Sequence, residues 1–214
     1  MIAAISIMRR RSDLTSDQFR RHWLDPHGVM TAELPGTRRY VQSHCLADAP
    51  GTNDYARSLE IEGFPELWFE SYEARHIAYT SKRIAECNVD SEQFVGSVTR
   101  LVTEPIVARE PARQAKPAKI FVLATGMPDV GWADRLQART LGLPGVIGYI
   151  RQRIIEQAKA PASKIPELVL PVAGLAEVIF SDEEALLASL PVISGMGEEA
   201  ARTAIWRVED YEFV

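Results

Sequence analysis

Leu143-Pro-Gly-Val-Ile-Gly-Tyr149 repeats Leu34-Pro-Gly-Thr-Arg-Arg-Tyr40, 109 residues further along the chain. A second pair follows in the same order. Gly174-Leu-Ala-Glu-Val-Ile-Phe180 matches Gly63-Phe-Pro-Glu-Leu-Trp-Phe69 at a separation of 111, and Glu184-Ala185 then answers Glu73-Ala74. Two matched blocks in one order, at nearly one spacing, mark an internal duplication.

Working outward from the first copy, residues 2–9 form a short apolar run and read as a strand. Thr15-Ser-Asp-Gln18 is a capping box, which satisfies free N–H groups where a helix starts. Phe19, Trp23 and Met30 give that helix an apolar stripe, and Pro26 interrupts it, so His27-Gly28 falls at a break. Leu34-Pro-Gly36 is a turn. The strand over 39–46 alternates, with Tyr40, Gln42 and His44 on one face and Val41, Ser43 and Cys45 on the other. Residues 47–62 read as a loop, 64–69 as a strand, 71–86 as a helix and 98–107 as a strand. The order β-α-β-β-α-β is the split βαβ plan of ferredoxin-like folds. A proline-bearing linker is expected over 104–117. A strand over 119–125, a helix over 132–141, the two matched strands and a closing strand over 202–213 then repeat the plan. The expected class is α+β, with an N-terminal unit at 1–108 and a C-terminal unit at 119–214. Each sheet leaves one face without helices, and packing those faces together closes inside one polypeptide what other proteins build from two subunits.

The chain has 214 residues, 46% hydrophobic and 25% charged, which excludes disordered, collagenous and coiled-coil classes. A net charge of -5 gives no electrostatic footprint for nucleic acid or an anionic membrane. Arg9-Arg10-Arg11 and Arg38-Arg39 read as solvated strand ends. No apolar run approaches the roughly 20 residues that span a bilayer. The apolar stretch 2–8 precedes the arginines, the reverse of a secretion signal. Cys45 and Cys87 lie far apart without a Cys-x-x-Cys, which fits a cytoplasmic location.

The copies differ where chemistry would sit. The first runs from Ile2 to Leu34, the second only from Ile120 to Leu143, and the missing stretch is read as including Trp23 to Gly28. All four histidines (His22, His27, His44 and His76) lie in the first unit. That unit is therefore expected to hold the pocket and the second to act as its structural partner. His27 can exchange protons near neutral pH, or merely cap its helix. Tyr40, Gln42 and His44, along one strand face, could hold an enol or phenol oxygen, or form a polar edge. Trp68 could wall a flat apolar ligand or belong to the core, and Glu66 shares its face. Glu66 recurs as Glu177, which suggests a structural role. His22 and His76 are expected at the surface. No metal is expected, because His22 and His27 lack helical ligand spacing. No flavin or nicotinamide is expected, because no Gly-x-Gly-x-x-Gly occurs.

Leu14-Thr-Ser-Asp-Gln-Phe19, Trp23-Leu-Asp-Pro-His27-Gly28, Leu34-Pro-Gly36, Arg39-Tyr-Val-Gln-Ser-His44 and Gly63-Phe-Pro-Glu-Leu-Trp-Phe69 together resemble the EthD family of the dimeric α+β barrel superfamily. The resemblance implies an intramolecular dimeric α+β barrel. It matches His27 to the family's histidine after the helix-one tryptophan. The family is named for a protein associated with ether degradation, and the superfamily includes cofactor-free monooxygenases, isomerases and cyclases. The resemblance therefore implies a small-molecule enzyme without metal or cofactor, of oxidoreductase type, acting on an apolar or aromatic enolisable substrate. In that picture His27, Tyr40 and His44 are catalytic, and Trp23, Gln42, Trp68 and Glu66 bind substrate. The alternatives are a cofactor-free isomerase, dehydratase or cyclase, and a non-catalytic accessory protein for a hydrophobic metabolite. The fused units allow a monomer or a further homodimer.

Overall fold

The structure, a computed structural model, describes residues 1–112, 116–126, 131–158, 163–195 and 202–214. Strand β1 (Ile2–Arg10) leads into helix α1 (Ser16–His22). The capping box forms as its sequence predicts. The Gln18 N–H donates to the Thr15 hydroxyl at 3.2 Å, and the Thr15 N–H donates to the Gln18 side chain at 2.8 Å. The helix opens into a wide turn over Trp23–Gly28, with Asp25 extended and the Asp25–Pro26 peptide cis, and α2 (Val29–Ala32) resumes it. The rest of the first unit is β2 (Arg39–Cys45), α3 (Asp54–Ser58), β3 (Gly63–Phe69), α4 (Tyr72–Tyr79), α5 (Lys82–Ser91) and β4 (Val95–Arg109). The second is β5 (Ala118–Thr125), α6 (Trp132–Leu141), β6 (Val146–Ala158), β7 (Val172–Phe180), α7 (Glu183–Gly195) and β8 (Thr203–Glu212).

The strands close a barrel in the order β1-β3-β2-β8-β5-β7-β6-β4. Within it each unit keeps the ferredoxin-like order, β4-β1-β3-β2 and β8-β5-β7-β6. The two seams are equivalent: β2 pairs with β8 and β6 with β4, so the second strand of each unit meets the last strand of the other. Registers repeat as well, since Tyr40 lies opposite Leu67 and Tyr149 opposite Val178. Closure leaves no sheet edge to aggregate. Phe64, Trp68, Phe121 and Trp206 fill the interior, with Phe64 stacked on Phe121 at 4.3 Å between ring centroids. The helices cover the outer faces over Tyr40, Leu67 and Phe69 in one unit and Ile120, Tyr149 and Val178 in the other.

Three boundaries depart from the sequence reading. The single helix expected over 71–86 is two, because the Ser81 hydroxyl caps a fresh start and α5 runs on to Ser91. The loop at 47–62 contains α3, capped by Asn53. The linker begins later than 104, since β4 continues to Arg109 with Pro105 opposite Gln152, between two register shifts. Residues 113–115 of that linker lie outside the described residues.

A further correction concerns the copies themselves. A Cβ on Gly63 would lie 2.3 Å from the Trp23 ring, and one on Gly174 would lie 2.7 Å from the Trp132 ring. Trp132 thus plays the part of Trp23, at the same separation as the repeated Leu-Pro-Gly turn. The stretch the second unit lacks precedes this tryptophan and does not include the counterpart of 23–28. Leu136 stands in place of His27, Thr140 in place of Thr31 and Tyr149 in place of Tyr40. Gly63→Ala would also bring its Cβ to 2.7 Å from the Ser43 carbonyl oxygen. We expect that variant to lose about 1–3 kcal/mol, read as a lowered urea midpoint.

Candidate functional site

The wide turn at Trp23–Gly28 sets the His27 imidazole beneath α5, where both ring nitrogens find partners. Nδ1 lies 2.8 Å from Asp90 Oδ2, and Nε2 lies 3.1 Å from the Thr31 hydroxyl. An ionised carboxylate only accepts, so the Asp90 contact places the proton on Nδ1 and makes Nε2 the acceptor of the Thr31 hydroxyl proton. The second Asp90 oxygen meets His22 Nε2 at 3.0 Å. Burial works to raise the Asp90 carboxyl, but the hydrogen bonds from His27 and His22 outweigh it and hold the group below its ordinary range. Phe94 packs against both imidazoles, with centroids 4.9 Å from each.

His27, Thr31 and Tyr40 line one cavity of about 90 Å³ between the sheet and helices α4 and α5. Gln42 Nε2 donates to the Tyr40 hydroxyl oxygen and to the Trp23 carbonyl, each at 2.7 Å. Tyr40 therefore keeps its own proton to give. Burial pushes that phenol well above its usual range, so it acts as a donor and not as a phenolate. Two guanidiniums complete the lining. Arg75 lies 4.3 Å over the Tyr79 ring, and Arg100 bonds Ser163 at 2.9 Å. Among the described residues neither reaches a carboxylate within ion-pair distance, and Arg75 Nε is buried without a partner.

The other expected site residues stand elsewhere. His44 stacks on Trp23 with centroids 4.2 Å apart, and its Nε2–H donates to Gln42 at 3.0 Å. Burial, helped by the Arg20 charge, pushes its pKa down to about 3, so it is neutral near pH 7. Trp23, Gln42 and His44 form a layer behind Tyr40 and do not line the cavity. Trp68 and Glu66 point the other way, into the barrel, as the alternation of β3 requires. His22 is not a free surface group, because it is bonded to Asp90, whereas His76 is exposed. The sequence reading passed over Asp90, Arg75 and Arg100. With the helix ended at Glu86, Asp90 had no face to be assigned to. Its spacing within Asn88-Val-Asp90-Ser91 on a continued α5 is the signal that was available.

Inside the barrel, Lys119 Nζ lies 2.9 Å from Glu177, 3.0 Å from Asp210 and 3.4 Å from Glu66. The repeated glutamates thus meet through one lysine. Among the described residues no group of three or more His, Cys, Asp or Glu is disposed to hold a metal ion.

Residues 11–97 match the family model of the EthD domain. The match falls wholly within the N-terminal unit. His27, Tyr40 and Asp90 all lie within the matched span. No curated protein matches the sequence. Among solved structures, an anthrone oxidase-like protein is 9% identical, with a TM-score of 0.61 over 99% of this chain and 92% of its own. A candidate monooxygenase from Fusobacterium nucleatum is 7% identical, with a TM-score of 0.60 over 98% and 91%. Another from Lactobacillus acidophilus is 9% identical, with a TM-score of 0.54 over 98% and 93%. At such identities the likeness is one of fold. It extends across both units, and the shared fold is the dimeric α+β barrel closed within one chain.

Proposed function

We propose that the cavity beside His27 is the active site of an enzyme that takes a proton from a small enolisable compound. The observation that carries this reading is the Asp90–His27 pair, a carboxylate-held imidazole at a cavity, whose basic nitrogen is held only by the rotatable Thr31 hydroxyl. His27 Nε2 takes the proton and Asp90 stabilises the imidazolium that results. The Tyr40 hydroxyl donates to the substrate oxygen as negative charge builds on it, and Arg75 and Arg100 add positive charge within the same cavity. Base and electrostatic stabiliser are both side chains of this chain, so the step calls for no bound metal or organic cofactor. Return of the proton at another atom completes an isomerisation, and loss of a β-hydroxyl completes a dehydration. Combination of the enolate with dioxygen gives oxidation. The EthD match and the oxidase- and monooxygenase-like names of the structural relatives favour the oxidative outcome.

The volume narrows the substrate. About 90 Å³ is well under the roughly 300 Å³ at which ordinary ligand sites begin, so a short-chain compound fits better than the broad aromatic one suggested by sequence. The same small volume favours the second reading, an accessory protein that holds such a compound without converting it. Proton NMR in D₂O separates the two, with 2-oxobutanoate and ethyl acetoacetate as probes. We expect loss of the α-proton signals faster than in buffer. Exchange at the buffer rate for both probes counts against catalysis. Arg100→Gln should slow exchange by about tenfold or more, because a charge facing the developing enolate is removed. Unchanged exchange in that variant takes Arg100 out of the mechanism. No helix among the described residues is long and apolar enough to cross a membrane.

A further inference from the structure

The second unit contains a cavity of about 280 Å³, larger than the one beside His27. Trp132, Leu136, Tyr149, Arg151, Arg153 and Ile154 are among its walls. It lies where the first unit has the layer behind Tyr40, since Trp132, Arg151 and Arg153 are the counterparts of Trp23, Gln42 and His44, while Leu136 and Tyr149 stand for His27 and Tyr40. Two polar atoms there are unsatisfied. The Tyr149 hydroxyl and the Trp132 indole N–H are buried, and neither has a hydrogen-bond partner. Tyr149 is 0% exposed and Trp132 5%. Buried donors left unpaired are costly, so two on one cavity point to an acceptor that arrives from outside. Tyr40 differs here, because Gln42 already serves its hydroxyl while the counterpart of Gln42 is Arg151, which turns to Asp134 at 2.5 Å. Arg153 pairs with Glu104. With both guanidiniums engaged, the cavity has no charge to offer an anion. Leu136, Ile154 and the Trp132 ring supply an apolar wall.

We propose that this cavity is a second ligand site, one that binds a neutral, flat carbonyl compound without converting it. The carbonyl oxygen would accept from Trp132 Nε1–H and Tyr149 O–H, the ring would lie against Trp132, and Leu136 offers no lone pair to take a proton. The second unit then does more than close the barrel. The proposal does not depend on the His27 site being catalytic.

The test is titration of the full-length protein with 1-indanone, and with indane as the isostere lacking the oxygen. It is followed by the indole N–H signals of the four tryptophans in ¹H–¹⁵N spectra. We expect 1-indanone to shift the Trp132 signal saturably. Tyr149→Phe should weaken binding by about 3–10-fold, the loss of one hydrogen bond. Leu136→Trp should abolish it by filling the cavity, and His27→Ala should leave it unchanged. The proposal is overturned if the Trp132 signal stays still, if indane binds as well as 1-indanone, or if Tyr149→Phe binds with unaltered affinity. A shift abolished by His27→Ala would assign the ligand to the first pocket instead. Tyr149→Phe removes one oxygen and keeps the ring, so it reports even if Leu136→Trp fails to fold.

Discussion

Replacing Lys119 by Met is expected to lower the unfolding free energy by about 3–5 kcal/mol, seen as a reduced urea midpoint. Among the described residues its ammonium is the one positive charge within ion-pair distance of Glu66, Glu177 and Asp210. Glu66 and Glu177 are essentially sealed from water, at 0% and 1% exposure. Removing the lysine leaves the sealed Glu177 carboxylate and Asp210 without a counter-charge in a poorly solvated interior, where their repulsion is weakly screened. The loss should shrink when Glu177→Gln is added, because the neutral amide no longer needs a counter-charge. Additive losses in the double variant would show that the cluster is not coupled.

The same cluster sets a pH dependence with a definite sign. Burial, reinforced by the neighbouring Glu177 charge, pushes the Glu66 pKa up to about 8. The folded state therefore keeps a proton that the unfolded chain releases near the ordinary value of 4.5. Stability from this group is fully present below about pH 4.5 and falls as pH rises towards 8. Glu66→Gln should flatten that limb of the urea midpoint against pH. An identical profile in the variant would remove Glu66 as its source.

The barrel could be read from the sequence because its determinants are local and written twice. Leu34-Pro-Gly36 and Gly63 recur as Leu143-Pro-Gly145 and Gly174, and the turn and the close glycine–tryptophan approach need those residue types. Alternation along β2 grouped Tyr40, Gln42 and His44 on one face, and the structure places Tyr40 under the helices. The same rule applied to β3 already separated Glu66 and Trp68 from Leu67. What it could not say was which face belonged to the barrel and which to the helices, because β3 is buried along its whole length. Asp90 and Arg100 enter the His27 site from α5 and β4, more than 60 residues from His27 in sequence. No local period links residues so distant, and only the closed sheet brings them together. Lys119 escaped for a similar reason. In a run of apolar residues it read as a strand end, whereas it crosses the interior between two copies of one glutamate.

His27→Ala is expected to cut the enzyme-catalysed exchange rate by about 10²–10⁴-fold, the range for loss of a positioned general base. The variant should still fold, since His27 lies outside the barrel interior and alanine fits its place. Unchanged exchange would eliminate this residue as the base. Asp90→Asn tests the pair from the other side. Asparagine keeps the size but loses the charge that fixes the Nδ1 proton and offsets the imidazolium. It should lower the rate by less than His27→Ala does. It should also move the ¹⁵N shifts of the His27 ring away from a pure Nδ1–H tautomer, a change that a packing defect would not produce. His22 sharpens the comparison, because it holds the other Asp90 oxygen at 3.0 Å and is itself 26% exposed at the side chain. His22→Ala should leave His27 with the whole carboxylate, so exchange should persist in that variant while Asp90→Asn suppresses it. If instead His22→Ala and Asp90→Asn fell together and His27→Ala did not, the working base would be the outer histidine.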